Sequence, residues 1–285
     1  MSKITRPLRS VLYIPASKSR ALDKARNLPC DAIIFDLEDA VSPQEKPAAR
    51  APLAEALAQD GFGARLKVVR INGLDTEWGR ADARAVAEMR PDAVLLPKVG
   101  TPDDLQALAE ITGDLPLWAM METPGGVLNA PAIAAHPLLQ ALVMGTNDLA
   151  KDLGSRARPD RLPLQSGLGL CLLAAKAQGR AVIDGVYNAF KDEDGLRAEC
   201  EQGRDLGFDG KTLIHPAQLA IANEVFSPSD ADVELATRQI TAFEAAEAAG
   251  EGVAVVEGRI VENLHVATAR EILAKHAAIA EMNPE

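Results

Sequence analysis

The chain has 285 residues, more than an average domain, yet α/β barrels run to roughly 250 residues as one unit, so the length suits one large core with an appendage. Thirty Lys and Arg against 41 Asp and Glu give a net charge of −11, which excludes nonspecific binding to nucleic acid or to an acidic membrane; an anionic ligand then needs a local basic seat. A hydrophobic fraction of 47% with 4% aromatics describes an ordered, helix-rich chain with an aliphatic core.

Cys30, Cys171 and Cys200 are widely spaced and form no CxxC or Cys/His cluster, which argues against structural zinc or a disulfide framework and fits a reducing cytoplasm. The opening run MSKITRPLRSVLYIP has too short an apolar stretch for a signal-peptide core or a membrane span, and no targeting signal is read in it.

Eight short apolar runs follow one another, each trailed by a helix-length segment rich in Ala, Leu and charged residues. The first is SVLYIP (10–15). Its following loop, YIPASKSRALDKARN, carries Lys18, Arg20, Lys24 and Arg26 against Asp23 alone. This is either a phosphate seat at a helix start or an ordinary solvated amphipathic helix. AIIFDLE (32–38) ends in Asp36 and Glu38 on one side of the strand, with Asp39 opening the loop; these acids read as supports for Arg70 or for waters around a metal rather than as direct ligands. LKVVRIN (66–72) brings Arg70, whose planar fork suits a substrate carboxylate or carbonyl oxygen, or else an internal salt bridge to Asp36 or Glu38. AVLLPK (93–98) ends in Lys98, a rival Schiff-base nucleophile that neighbouring acids would hold protonated, so a structural charge is the default.

LWAMMET (117–123) and LVMGTND (142–148) close with Glu122 and Asp148 on adjacent staves. Two such carboxylates repel until a divalent cation relieves them, and an oxygen-only pair completed by water and substrate suits Mg²⁺ better than zinc. The bland alternative makes both acids helix caps or loop charges. AVIDGVY (181–187) contributes Asp184, and GKTLIHP (210–216) contributes His215, which precedes a proline and reads as a packing or hydrogen-bonding group more than a base. Buried runs of this kind predict parallel strands covered on both faces, and eight of them predict a (β/α)8 barrel whose C-terminal strand ends share one active-site volume. IPASKSR lacks the glycine-rich fingerprint that a doubly wound dinucleotide-binding sheet requires.

The barrel is expected over residues 1–226 and a lid segment over 227–285. The lid should hold a helix from the SPSD cap to Gly250, a hairpin VAVVEGRIV turning at Glu257-Gly258, and a last helix from near Asn263 toward Ala280. About 60 residues bury too little core to stand alone, so this tail should lie against a barrel, its own or a neighbour's.

The blocks SVLYIPAS, FDLEDAV, VRIN, LLPKV, METPGG, GTNDLA and IHPAQ, in this order and over nearly the whole chain, resemble the HpcH/HpaI aldolase and citrate lyase β-subunit-like family of CoA-ester lyases. WAMMET, the run from GVYNAF to IHPAQ, and GRIVENLH are similar to its (3S)-malyl-CoA thioesterase branch. The resemblance implies a (β/α)8 barrel, Mg²⁺ (or Mn²⁺ in its place) on Glu122 and Asp148, and Arg70 binding the acyl part with Asn147 lining its site. It implies contacts of Tyr13, Lys18 and Lys24 with CoA, with Ile214 and His215 near the thioester, and so favours the phosphate-seat reading of the first loop. In such proteins the tail folds over a neighbouring subunit in a trimer or hexamer and delivers an aspartate from a MID-like motif; the matching triplet here is IVE, placing Glu262 there. The expected activity is hydrolysis of malyl-CoA to malate and CoA with Glu262 as general base. The alternatives are carbon–carbon cleavage of malyl-, methylmalyl- or citramalyl-CoA, and a non-catalytic acyl-CoA-binding subunit.

Overall fold

A computed structural model describes residues 6–59 and 61–282; the first five residues of the stretch examined for a targeting signal lie outside them. The chain forms two compact units, Leu8–Phe226 and the segment from Ser227 onward.

The first unit alternates β1 (Ser10–Pro15), α1 (Ser19–Ala25), β2 (Ala32–Asp36), α2 (Lys46–Ala58), β3 (Leu66–Arg70), α3 (Gly79–Met89), β4 (Ala93–Leu96) and α4 (Pro102–Thr112). It continues through β5 (Leu117–Met121), α5 (Pro124–Leu128), α6 (Ala130–Ala134), β6 (Leu139–Met144), α7 (Thr146–Asp152), α8 (Gln165–Ala177), β7 (Ala181–Asp184), α9 (Glu193–Leu206), β8 (Gly210–Leu213) and α10 (Leu219–Val225). The eight strands pair in parallel and in sequence order, and β8 returns to β1, so the sheet closes into the barrel that the sequence predicts. Closure leaves no free edge, and helices cover the outside, so residues such as Ile33, Ile34 and Phe35 are buried on both faces of their strand.

The strands exist where expected but stop sooner. Those after β1 end at Asp36, Arg70, Leu96, Met121, Met144, Asp184 and Leu213, and β6 begins at Leu139 rather than Leu142. The cause is local turn chemistry at the barrel mouth. The Asp36 carboxylate accepts from the Glu38 and Ala40 N–H groups and folds the chain off β2, so Asp36 and Glu38 do not share a strand face. Thr123 caps α5, whose first residue is Pro124, leaving Glu122 in the link. Thr146 already starts α7, so Asp148 occupies a helical first turn rather than a strand end.

Register places charges opposite each other on neighbouring staves. Asp36 faces Arg70 across β2 and β3, and Asp184 faces Lys211 across β7 and β8. The second pair is fully buried: Lys211 Nζ lies 3.0 Å from Asp184 and 2.6 Å from Glu199, and Arg161 lies 2.7 Å from Asp184. Burial opposes the ionised form of both partners, but the cations hold the Asp184 carboxyl below its ordinary range and the acids hold the Lys211 ammonium above its own. Asp184 therefore joins the barrel wall instead of the ring of groups at the mouth.

The second unit contains α11 (Asp230–Ala248), β9 (Ala254–Val256), β10 (Arg259–Val261) and α12 (Asn263–Met282). Ser229 and Asp232 form a reciprocal capping box at the start of α11. Glu257 and Gly258 both have positive φ, 51° and 75°, the two-residue turn that suits the twist of an antiparallel hairpin. Phe243, Ala246, Ala254, Val261 and Val266 make its small core.

Breaking one side of a buried charge cluster leaves an uncompensated ion in low dielectric. Lys211→Met is expected to lower stability by about 3–5 kcal/mol in urea unfolding, and a loss under about 1 kcal/mol would show that the cluster does not tie β7 to β8.

Candidate active site

At the C-terminal end of the barrel a cavity of about 490 Å³ is lined by Tyr13, Asp36, Asp39, Arg70, Glu122, Asn147, Asp148 and Ile214, among others. Eight residues drawn from six strand-loop junctions thus share one volume, as the convergence of parallel strand ends requires.

Arg70 is its most constrained group. Its Nε and Nη2 donate to the two Asp36 oxygens at 2.8 and 2.6 Å, a bidentate pair built on the β2–β3 register. Its Nη1 approaches Glu38 at 2.9 Å and Asp39 at 3.2 Å, and its Cζ sits 4.8 Å from the centre of the Tyr13 ring. The internal salt bridge considered for Arg70 is therefore present. Asp36 and Glu38 are buried, whereas the Asp39 side chain is 69% exposed, so Nη1 is the face an incoming carboxylate can take by displacing Asp39.

Four acids around one guanidinium leave negative charge uncompensated. Burial, reinforced by Asp39, Glu122 and Asp36 against the pull of Arg70, pushes the Glu38 carboxyl up to about 8. The Glu38 Oε2 also lacks a donor in hydrogen-bonding geometry despite its closeness to Arg70. Burial likewise raises Glu122 to about 7, with Asp148 adding to it and the Lys98 N–H, Arg70 and Lys98 opposing. Burial raises the Tyr13 hydroxyl as well, against Arg70.

Glu122 and Asp148 line the same cavity and act on each other electrostatically. Glu122 is buried and its Oε1 accepts the Lys98 N–H at 2.7 Å; the Asp148 carboxylate has no hydrogen bond or ion pair among the described residues. Among the described residues no group of three or more His, Cys, Asp or Glu side chains gathers as a closed metal cage. Two oxygen donors beside an open cavity fit a hard cation that keeps most of its water, and they do not fit structural zinc.

Lys98 is exposed, and its ammonium makes no ion pair among the described residues. Burial draws it down, but Glu38, Asp148, Glu122 and Asp39 outweigh that and keep it protonated, against Schiff-base chemistry.

Asn147 pairs reciprocally with Asn188, amide to amide, at 3.2 and 2.8 Å. Asn188 is a cavity residue that the sequence reading passes over, since GVYN offers no charge or spacing to mark it; Met120 and Met144 escape for the same reason. The residues assigned to CoA belong to the neighbouring staves β1 and β8 and the segments that follow them. Tyr13 lines the cavity with its hydroxyl 3.4 Å from Met120 Sδ, and Ile214, just past the end of β8, is 42% exposed. Lys18 lies outside, 3.1 Å from Glu45, and Lys24 sits exposed on α1. His215 caps a short 3₁₀ turn, its Nδ1 accepting from Ala217, and its ring stacks on Phe190 at 4.5 Å, which is the packing role expected of it.

In the second unit, Glu262 precedes α12. Its N–H donates to His265 Nδ1 at 3.0 Å, its carbonyl accepts from His265 and Val266, and its exposed carboxylate has no partner among the described residues. Among the described residues no helix is long and apolar enough to cross a membrane.

Comparison with known proteins matches this architecture. Residues 9–216 match the family model described as HpcH/HpaI aldolase/citrate lyase. A (3S)-malyl-CoA thioesterase of Cereibacter sphaeroides is 67% identical over 280 residues, 98% of each chain, and the citrate lyase subunit beta of Escherichia coli is 32% identical over 95% of this chain and 94% of its own. The solved structure of protein CitE from Mycobacterium tuberculosis in complex with magnesium, acetoacetate and coenzyme A superposes with a TM-score of 0.80 at 29% identity, covering 97% of this chain and all of that one. A barrel that seats Arg70, Glu122 and Asp148 in one mouth, in a chain so related along its length, belongs to the HpcH/HpaI aldolase/citrate lyase family.

Proposed function

We propose that the chain hydrolyses (3S)-malyl-CoA to malate and CoA, with Mg²⁺ as cofactor and Mn²⁺ able to stand in for it. The observation that carries this reading is the sharing of one cavity by Arg70, Glu122 and Asp148, in a chain 67% identical to a (3S)-malyl-CoA thioesterase. Glu122 and Asp148 would hold the cation, which supplies charge neutralisation and polarises a substrate oxygen. Arg70, fixed by Asp36, offers Nη1 to the malyl carboxylate in exchange for Asp39. The Asn147–Asn188 pair presents amide donors to the acyl group beside them. Tyr13, Ile214 and His215 would meet the thioester arm, and Lys18 and Lys24 the phosphates of CoA. Glu262 is the general base we assign to the attacking water, delivered by the tail of a neighbouring copy in a homo-oligomer, a trimer or hexamer. Three buried free cysteines suit a cytoplasmic enzyme.

Kinship with citrate lyase subunit beta supports carbon–carbon cleavage as the second reading, since it would use the same cation and the same arginine. Incubating malyl-CoA with the protein and Mg²⁺, and following free thiol and glyoxylate separately, decides between them. Thiol without glyoxylate is expected; glyoxylate with acetyl-CoA would assign the lyase reaction, and neither product would assign an acyl-CoA-binding subunit. Glu262→Gln is expected to keep substrate affinity while kcat falls about 10²-fold or more, whereas unchanged turnover would remove Glu262 from the mechanism.

A further inference from the structure

We infer that Lys98 works through its backbone: its left-handed conformation, with the bare Cα of Gly145 opposite, forms a clamp that sets the orientation of the Glu122 carboxylate. The inference rests on reading Glu122 as a metal ligand and assigns a positioning role to two residues to which that reading gives none.

Lys98 has a φ of 52°, a conformation that side chains resist. Of the other described non-glycine residues with positive φ, Arg90 ends a helix, Arg161 opens the 3₁₀ turn Leu162–Leu164 and Glu257 makes a hairpin turn, where such geometry starts or closes a local element. Lys98 does neither. It follows β4 at the barrel mouth, and with its backbone held this way its N–H donates to Glu122 Oε1 at 2.7 Å, across to the next stave. Backbone strain of this kind persists where the surroundings enforce it and gathers at functional sites.

The opposite side of Glu122 is shaped by an absence. A Cβ built on Gly145 would overlap the Glu122 Cβ, crowd its Oε2 at 2.5 Å and meet Met120 Cε at 3.0 Å. Gly145 is itself tied to the end of β5, its N–H donating to the Met121 carbonyl at 3.1 Å. One oxygen is thus fixed by a donor and the other by the space that glycine leaves. A cation held by only two protein carboxylates depends on each being aimed before it arrives, and loss of a partner that orients a metal ligand typically costs about 10- to 100-fold in metal affinity. The Lys98 ammonium, with no ion pair among the described residues, is not what holds Glu122 in place.

The test is Mn²⁺ binding to the full chain, read from loss of the free-ion EPR signal, in Lys98→Gly and Lys98→Val. Glycine accepts the left-handed conformation and keeps the N–H while removing the ammonium; valine, branched at Cβ, resists it. Lys98→Gly is expected to bind within about threefold of the parent, and Lys98→Val about 10- to 100-fold more weakly. Parent-like affinity in folded Lys98→Val overturns the clamp, and so does an equal loss in Lys98→Gly, which would assign the effect to the charge. Should Lys98→Val lose its circular dichroism, Gly145→Ala carries the same expectation and the same overturning result. A parent that takes up no Mn²⁺ defeats the metal reading together with the clamp, whereas a parent that binds beside an unaffected Lys98→Val defeats the clamp alone.

Discussion

The mouth of the barrel is organised by an excess of carboxylates over cations, with Asp36, Glu38 and Glu122 buried beneath an open cavity. Asp36, Glu38, Asp39, Glu122 and Asp148 face Arg70 and the exposed ammonium of Lys98. Arg70 is held by Asp36, Glu38 and Asp39, and its pull on Glu122 does not offset burial there. That imbalance is why burial succeeds in raising Glu38 and Glu122 here, although the still more deeply buried Asp184, with Lys211 and Arg161 beside it, is lowered. The same fold therefore contains two acid clusters with opposite fates. The one in the wall is balanced and structural; the one at the mouth is unbalanced and open to a cation.

Register converts sequence into this arrangement. Parallel pairing in strict order places Asp36 opposite Arg70 and brings the β5 and β6 ends together, so that acids 26 positions apart line one cavity. The short strands then hand over to caps and turns, and these aim the side chains: the Asp36 turn positions Glu38, the Lys98 turn meets Glu122, and α7 presents Asp148. A barrel with longer strands would carry the same residues but point them differently.

The barrel, its eight strands and the shared cavity are legible because buried apolar runs with polar ends recur, each followed by a helix-length segment, and that pattern depends only on residue type. The tail hairpin was legible from Glu257-Gly258 for an equally local reason. What escaped depends on three-dimensional proximity or on backbone shape. Asp184 has the same pattern as Asp36, a charge at a strand end, and only its burial against Lys211 sends it to the wall. Asn188 becomes visible through its pairing with Asn147. In the sequence Lys98 reads as a charge, while its consequential feature, a positive φ that no lysine advertises, lies in the main chain.

Linkage makes the central claim measurable. A carboxyl whose folded pKa is raised holds its proton more tightly in the native state, so its contribution is present below the ordinary value of 4.5 and is lost as pH rises through about 7 for Glu122 and about 8 for Glu38. The most direct measurement is the unfolding midpoint from pH 5 to pH 8 in chelator and again in excess Mg²⁺. The account predicts a midpoint that falls with pH in chelator and is restored by Mg²⁺ most strongly at pH 8, whereas identical profiles with and without the cation would contradict it.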